Sequence, residues 1–229
     1  MNTRGRLGLF GGTFDPIHFG HLDVADAAHR ALGLDEILFI PSHDPPHRPS
    51  DPCASAFHRF ALVALAIDAH PSYRASDMEL QRNGPSYTSD TLAALRSEGW
   101  NPSQLFFILG TDAFAEIATW RQFPAVLDAA HFVVITRPGT TLDAAVARTP
   151  EIRSRLRRPE ASAIASPETF VFLVEAQTRD VSSTTIRARL AAGKPIDDLV
   201  PEAVGRYIVG HRLYGAVGNL HGKEQRIQI

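Results

Sequence analysis

The chain has 229 residues, of which 44% are hydrophobic and 21% are charged. This length and balance predict a folded protein with one large domain or two small ones, and they exclude a chain that is mainly disordered. The formal net charge of −2 argues against a protein that coats nucleic acid or an anionic membrane, since such proteins are usually strongly basic.

Cysteine content and the N-terminal segment bear on the compartment. Cys53 is the single cysteine, so the chain can form neither an intrachain disulfide nor a cysteine-based zinc site. The N-terminal segment lacks the apolar core of a signal peptide, and no apolar run approaches the ~20 residues that cross a bilayer. We therefore expect a soluble cytoplasmic protein.

Short apolar runs alternate with helical patterns along the chain. Strands are predicted at 7–10, 37–40, 105–109, 132–135 and 170–174, with a weaker candidate at 73–78. Helices are predicted at 21–32, 56–69, 89–97, 183–192 and 201–209, and a proline-rich loop at 41–52. Fully apolar strands separated by helices predict a doubly wound α/β fold with a mostly parallel sheet. Ligands of such sheets bind beyond the carboxyl ends of the strands.

The segment 11–22 joins the first predicted strand to the following helix and combines glycines with histidines. Gly11 and Gly12 let the backbone approach a ligand closely, and the free N–H groups at a helix start attract phosphate. His18 and His21 lie three residues apart, so both imidazoles can face one side of the first helical turn and donate hydrogen bonds to phosphate. The alternative is a glycine-rich turn with two surface histidines.

A second anion site is predicted at 181–187, which follows the last apolar strand and opens a helix. Ser182 or Ser183 is a suitable N-cap, and the backbone N–H groups, the hydroxyls and Arg187 converge at the helix start. Taken alone, this segment fits an ordinary capped helix with a solvated arginine. Its pairing with the first segment favours a phosphate site.

The form His18-Phe-Gly-His21 resembles the H-x-G-H signature of the nucleotidyltransferase superfamily, and 181–187 resembles its I-S-S-T-x-[IL]-R motif, with Val181 in place of isoleucine. Further segments are similar to motifs of bacterial nicotinate mononucleotide adenylyltransferases: 41–49 to P-x-x-x-P-P-H-[KR], 79–92 to E-x-x-R-x-x-x-S-Y-T-x-x-T-L, 109–121 to [IL]-G-x-D…W-[KR], and 137–139 to R-P-G. The resemblance covers nearly the whole chain, in order. It implies a Rossmann-like nucleotidyltransferase fold, with one domain over 1–214 followed by a polar, flexible tail over 215–229.

The resemblance implies that ATP and nicotinate mononucleotide react to give nicotinate adenine dinucleotide and pyrophosphate, a step of NAD biosynthesis. The mononucleotide phosphate would attack the α-phosphorus of ATP in line, and the protein would position two anions and stabilise the leaving pyrophosphate. Mg²⁺ would be bound through the ATP phosphates, with no separate protein metal site.

The resemblance also implies three sets of site residues. The catalytic set is His18, His21 and Arg187. These two histidines and this arginine also belong to the ATP-binding set, whose other members are Gly11, Gly12, Thr13, Phe14, Gly110, Asp112, Ser182, Ser183 and Thr184. The set for nicotinate mononucleotide is Thr13, Arg48, Tyr87, Thr88, Trp120, Arg121 and Arg137, in which Trp120 would stack on the pyridine ring. The alternatives are that Trp120 is a packing residue, that Asp112 caps the helix that follows it, and that the arginines are solvent-exposed surface residues.

Other functions stay open at this stage. An adenylyltransferase that acts on nicotinamide mononucleotide fits the same motifs, because discrimination between acid and amide depends on a few backbone donors. A non-catalytic nucleotide-binding module with this fold is a second alternative, which loss of a motif histidine would favour, and both histidines are present. The expected partners are the two nucleotide substrates, without nucleic acid or membrane. A homo-oligomer is compatible with the sequence.

Overall fold

In the computed structural model, which describes residues 4–45, 51–137 and 150–216, seven parallel strands form one sheet. In chain order the strands are β1 (Leu7–Gly12), β2 (Glu36–Pro41), β3 (Tyr73–Ala75), β4 (Leu105–Gly110), β5 (His131–Thr136), β6 (Leu156–Arg157) and β7 (Val171–Glu175). Their spatial order is β3-β2-β1-β4-β5-β7-β6. The chain thus starts near the middle of the sheet and builds outward first to one side and then to the other, so the strand order reverses between β1 and β4.

Helices cover both faces of this sheet. They are α1 (Phe19–Leu32), α2 (Ala56–Ile67), α3 (Thr88–Ser97), α4 (Thr111–Ala115), α5 (Pro150–Arg153), α6 (Ala161–Ile164), α7 (Ser183–Ala191) and α8 (Glu202–Gly210). Side chains of α1, α2, α7 and α8 form one hydrophobic cluster with one face of the strands, whereas α3 and α4 contribute to the cluster on the other face. Because both faces are covered, strands such as β4 are apolar at successive positions.

The doubly wound α/β fold with a parallel sheet is therefore confirmed. The first strand runs two residues beyond its prediction, since Gly11 and Gly12 pair with Ile40 and Pro41 of β2. An apolar-run criterion stops before them because a glycine has no side chain to score. The third strand ends at Ala75 rather than at 78. The elements that the sequence patterns did not predict are β6, α4, α5 and α6, each too short to show a helical or strand period.

The structure describes only part of the predicted proline-rich loop and of the predicted C-terminal tail. Residues 46–50 of the loop and residues 217–229 of the predicted tail lie outside the described residues. Leu213–Gly215 forms a 3₁₀ turn and Ala216 is buried in the core. The domain boundary at 214 stays a prediction. In the three described ranges, no helix is long and apolar enough to span a membrane.

His131 begins β5 at the amino edge of the sheet, away from the carboxyl ends of the strands. Its side chain is fully buried, its ring stacks on that of Phe106 with 4.5 Å between centroids, and its Nδ1 accepts a hydrogen bond from the N–H of Phe170 at 3.1 Å. Burial lowers the pKa of His131 from its ordinary 6.5 to about 4. The imidazole is thus a neutral core group at pH 7.

Acidification is therefore expected to destabilise the fold partly through His131. Between pH 6.5 and about 4 the unfolded chain binds a proton that folded His131 does not, so the free energy of unfolding falls as the pH falls, by roughly 3 kcal/mol for this group. Above pH 6.5, His131 adds no pH dependence to the free energy of unfolding. The check is urea unfolding at pH 7.5 and pH 4.5 of the wild type and of His131→Asn, which retains an acceptor near Nδ1 but does not titrate. The variant should lose less stability on acidification; an equal loss would rule out this role for His131.

Candidate active site

A cleft of about 460 Å³ opens at the carboxyl ends of β1, β4 and β5, beside the start of α1. It lies where the strand order reverses, which is the usual ligand position in open α/β sheets. The predicted site residues that line it are Gly11, Gly12, Phe14, His18, His21, Gly110, Asp112 and Arg137. The structure thus brings together much of the ATP-binding set predicted from sequence, and it places Arg137, predicted for the mononucleotide, in the same cleft.

The two motif histidines face each other at the start of α1. His18 is the N-cap residue and is buried, and its ring stacks on that of His21 with 3.7 Å between centroids. The backbone N–H of His18 donates to Nδ1 of His21 at 3.2 Å. Since Nδ1 of His21 accepts this bond, a neutral His21 carries its proton on Nε2 and can donate it to a ligand. Nδ1 of His18 has no hydrogen-bond partner among the described residues.

Burial sets the charge of this histidine pair. It lowers the pKa of His18 to about 4, an effect that the Asp23 carboxylate partly offsets. Burial, followed by the neighbouring His18, also lowers the pKa of His21 well below its ordinary value. Both imidazoles are therefore neutral hydrogen-bond donors at pH 7. A bound phosphate would raise the pKa of each, because a nearby anion favours the protonated form.

The glycine between the histidines is closely packed. A Cβ on Gly20 would lie 3.2 Å from the Arg179 carbonyl oxygen and 3.2 Å from Nδ1 of His18. Both contacts are tighter than a side-chain carbon normally makes, so a larger residue would need the His18 ring and the backbone at Arg179 to shift by a few tenths of an ångström. The glycine of the H-x-G-H motif thus allows the two predicted anion sites to approach each other.

Gly110 ends β4 and has a different role, because its surroundings are open. A Cβ placed there would meet no atom of the described residues within 4 Å, whereas one on Gly12 would lie 3.0 Å from the Phe14 ring. The backbone of Gly110 has an ordinary φ of −83°. The space beside it is the cleft itself, so the missing side chain leaves room for a ligand.

The start of α7 docks on the turn that follows β1. Ser182 caps α7 through a hydrogen bond from the Thr185 N–H to its Oγ at 3.1 Å. Ser183 Oγ donates to the Pro16 carbonyl at 2.9 Å. Arg187 Nη1 donates to the Asp15 carbonyl at 2.6 Å, and its Nη2 donates to Thr184 Oγ1 at 3.3 Å. Two segments about 170 residues apart in sequence therefore form one surface, on which Arg187 is anchored to the backbone of the turn.

A smaller recess lies at the start of α3. Tyr87, Thr88, Trp120 and Arg121 line it, so these four predicted residues are brought together. The indole of Trp120 packs edge-on against the Phe107 ring at 5.7 Å between centroids and is only partly buried. The Arg121 guanidinium lies 4.8 Å above the Tyr87 ring and pairs with Asp90 at 2.9 Å.

The remaining predicted residues are placed as follows. Thr13 lies in the turn after β1, where its carbonyl accepts a hydrogen bond from Arg59 at 2.7 Å. Arg137 pairs with Asp180 at 3.0 Å at the mouth of the larger cleft. Arg48 lies outside the described residues.

Arg179 lines the larger cleft and was missed by the sequence patterns, as was its neighbour Thr178. Its guanidinium binds the Asp23 carboxylate through Nε at 3.0 Å and Nη2 at 2.7 Å, and it lies 4.0 Å above the Phe19 ring. The signal that could have found it is positional, since residues that follow the carboxyl end of a parallel strand border the ligand cleft.

Comparison with known proteins agrees with this geometry. Residues 9–189 match the family model described as cytidylyltransferase-like. A solved structure of nicotinic acid mononucleotide adenylyltransferase from Plasmodium falciparum, complexed with NaAD, superposes with a TM-score of 0.69 at 18% identity and covers 93% of this chain and 99% of its own. The same protein complexed with APC gives a TM-score of 0.67. At this identity the likeness shows the fold.

Curated relatives are much closer in sequence. The protein named "Probable nicotinate-nucleotide adenylyltransferase" in Symbiobacterium thermophilum is 40% identical over 219 residues, which is 95% of this chain and 98% of that protein. Its namesake in Moorella thermoacetica is 40% identical over 92% of each chain, and that of Yersinia enterocolitica is 39% identical over 93% of this chain and 96% of its own. With this identity over nearly the full length of its relatives, the chain belongs to the nicotinate-nucleotide adenylyltransferase family of nucleotidyltransferases.

Proposed function

We propose that the protein transfers AMP from ATP to nicotinate mononucleotide, giving nicotinate adenine dinucleotide and pyrophosphate, as a step of NAD biosynthesis. The observation that carries the proposal is the docking of two anion-attracting helix starts, those of α1 and α7, on one turn at the edge of the cleft. The names of the curated relatives and the NaAD complex of the Plasmodium falciparum protein support this choice of substrates.

ATP would occupy the larger cleft. The triphosphate would lie at the start of α1, where free backbone N–H groups and the positive end of the helix dipole attract anions. His18 and His21 face this position with neutral, partly desolvated rings. The adenosine would pass beside Gly110, where the absent side chain leaves space, and near Asp112 in the first turn of α4.

The pyridine ring of nicotinate mononucleotide would lie at the small recess at the start of α3. The exposed part of Trp120 offers an aromatic face for the pyridine ring. The first N–H groups of α3, at Thr88 and its neighbours, and the Arg121 guanidinium favour a carboxylate over an uncharged amide. Arg48 and Arg137 are proposed to contact the mononucleotide phosphate.

The chemistry needs little proton transfer. A phosphate monoester is already ionised at pH 7, so the attacking oxygen requires no general base. Negative charge develops instead on the departing pyrophosphate, and preorganised donors in a water-poor site stabilise such charge well. His18 and His21 donate hydrogen bonds there, while Arg187, at the start of α7, adds a positive charge beside the same turn.

Mg²⁺ is proposed to arrive with ATP, bound mainly through phosphate oxygens. In the described parts of the chain, no group of three or more His, Cys, Asp or Glu side chains is arranged to hold a metal ion. Asp112 is the carboxylate on the cleft lining, and one carboxylate with several phosphate oxygens suits Mg²⁺. When bound, the ion would neutralise part of the phosphate charge.

A valine at Gly110 is expected to weaken ATP binding by about 10- to 100-fold, because its side chain would occupy the space proposed for adenosine; overpacking typically costs ~1–3 kcal/mol. The melting temperature should change little, because the backbone there is unstrained. Calorimetric titration with ATP checks this. The matched control is Gly210→Val, at a glycine whose surroundings are equally open but which lies at the end of α8. Unchanged affinity in Gly110→Val would contradict the placement of ATP.

An oxygen label tests the reaction itself. The protein is incubated with ATP, Mg²⁺ and nicotinate mononucleotide whose phosphate carries ¹⁸O. Attack by that phosphate on the α-phosphorus should give dinucleotide and pyrophosphate in equal amounts, with the label in the dinucleotide alone. Label in the pyrophosphate, or release of AMP without dinucleotide, would contradict the proposed transfer.

A further inference from the structure

Arg59 lies on α2, outside the motifs discussed above, and has the largest fully buried side chain among the described residues. Burying a guanidinium is costly unless its donors are satisfied. Here the guanidinium is surrounded by backbone carbonyl groups. Nη1 donates to the carbonyl of Thr13 at 2.7 Å, Nη2 to those of Ser42 at 2.7 Å and His43 at 3.3 Å, and Nε to that of Ala54 at 3.2 Å.

These carbonyls come from three separate stretches of chain. Thr13 belongs to the turn after β1, which leads to the start of α1, where the ATP phosphates are proposed to lie. Ser42 and His43 follow β2, and Ala54 precedes α2. Beside them the Ser42 N–H donates to the Gly12 carbonyl at 2.9 Å. One rigid side chain thus fixes the turn after β1 against the segment after β2.

The segment after β2 is hydrogen-bonded to the recess at the start of α3, which we call the acceptor recess. The His43 N–H donates to Ser86 Oγ at 2.9 Å, and the Ser86 N–H donates to the Asp44 carbonyl at 2.8 Å. Ser86 directly precedes Tyr87, the N-cap residue of α3. A continuous chain of hydrogen bonds therefore runs from Thr13 through Arg59 and His43 to the wall of the recess.

Asp15 joins the same turn both to the stretch before α2 and to α7. The Asp15 carboxylate is fully buried and accepts the N–H groups of Cys53 at 2.8 Å and Ala54 at 3.1 Å. Arg187 Nη1, which binds the Asp15 carbonyl, lies 3.8 Å from Oδ2 of the same residue. Arg187 thus holds the turn toward α7, and Arg59 holds it toward the acceptor side.

We propose that Arg59 is a positioning residue for adenylyl transfer. It sets the separation between the turn after β1 and the acceptor recess without touching either nucleotide. The inference rests on the proposed function, since it concerns the alignment of those two substrates. In-line attack requires the reacting atoms to lie within about 3–3.5 Å, and a misplacement of about 1 Å can lower the rate ~100-fold. A lysine cannot replace the planar fork, because its donors share one nitrogen.

Steady-state kinetics of Arg59→Lys test this role. We expect kcat to fall about 10- to 100-fold, with KM for each nucleotide within about threefold of the wild type, because the two binding surfaces persist and only their alignment changes. The matched control is Arg155→Lys, since Arg155 donates to the Leu127 carbonyl at 3.3 Å and pairs with Asp128 at the amino side of the sheet. Its kcat should match the wild type. An unchanged kcat in Arg59→Lys, or KM values that rise as far as kcat falls, would overturn the proposal.

A double-mutant cycle tests the route from Arg59 to the recess. Ser86→Ala removes the hydrogen bond from the His43 N–H and should lower kcat by itself. Because both changes interrupt one chain of contacts, the loss of kcat in the double variant should be smaller than the product of the two single losses. Fully multiplicative losses would overturn the proposed coupling.

Hydrogen exchange separates this inference from the proposed function, because it needs no turnover. Arg59→Lys should accelerate amide exchange at 42–44 and also at 86–88, which Arg59 does not contact directly, whereas Arg155→Lys should accelerate neither. Ser86→Ala should accelerate exchange at 42–44 and gives a second test if Arg59→Lys does not fold. Absence of dinucleotide formation by the wild type would reject the proposed function; unchanged exchange at both segments would reject the link through Arg59.

Discussion

Replacing His18 by alanine is expected to lower kcat by about 100- to 1,000-fold, the usual effect of removing one preorganised donor from a developing negative charge. The imidazole is neutral and buried, so its hydrogen bond to the leaving pyrophosphate forms in a water-poor site where electrostatic interactions are strong. Stability should change much less, because Nδ1 of His18 has no partner among the described residues. We expect a loss of about 1 kcal/mol, or ~2–4 °C in Tm.

Turnover and thermal unfolding of His18→Ala are measured side by side. His58→Ala is the matched control: this histidine lies on α2 and contacts the Tyr207 hydroxyl at 3.0 Å, away from the cleft. It should keep the wild-type kcat. A large fall in Tm with intact turnover in His18→Ala would show that the histidine has a structural role instead.

Replacing Trp120 by alanine is expected to raise KM for nicotinate mononucleotide by about 10- to 100-fold, since stacking of a base on an aromatic ring is worth ~1–3 kcal/mol. Affinity for ATP should be retained, because the recess at α3 is separate from the cleft at Gly110. Trp120→Phe, which keeps a smaller aromatic face, should give an intermediate value.

Trp100→Ala controls for the loss of a tryptophan as such. Trp100 is partly buried just after α3, with the Arg4 guanidinium 5.0 Å from its ring, and it does not line the recess. The Trp100→Ala variant should have a lower Tm, with no increase in KM for nicotinate mononucleotide. Equal increases in KM for both nucleotides in Trp120→Ala, or a fall in Tm alone, would contradict stacking on the pyridine ring.

The parallel sheet could be predicted because its central strands are uninterrupted apolar runs, as in β4 and β5, with helical patterns between them. The end of a strand was less predictable where the paired residues are glycines, as at Gly11 and Gly12, which pair with β2. Elements of two to five residues, such as β6 and α4, depend on tertiary contacts and leave no periodic pattern.

In the candidate site, too, some contacts could be predicted from the sequence and others could not. His18 and His21 could be predicted because their local spacing on a helix start determines how they meet. The contacts of Arg187 with the turn after β1 depend on packing between distant segments, which no local pattern encodes. Arg59 was missed because an arginine in an apolar helix resembles a surface residue until the surrounding carbonyl groups are known. Arg179 was missed because its cleft-facing position follows from the fold alone.

The release of pyrophosphate from ATP, measured with nicotinate mononucleotide and in parallel with nicotinamide mononucleotide, tests the central claim most directly. The proposed recess predicts turnover with the acid at a clearly higher kcat/KM than with the amide, because the start of α3 and Arg121 favour a carboxylate. Equal kcat/KM values would contradict the proposed recognition of the carboxylate, and the absence of pyrophosphate release with either mononucleotide would contradict the proposed reaction.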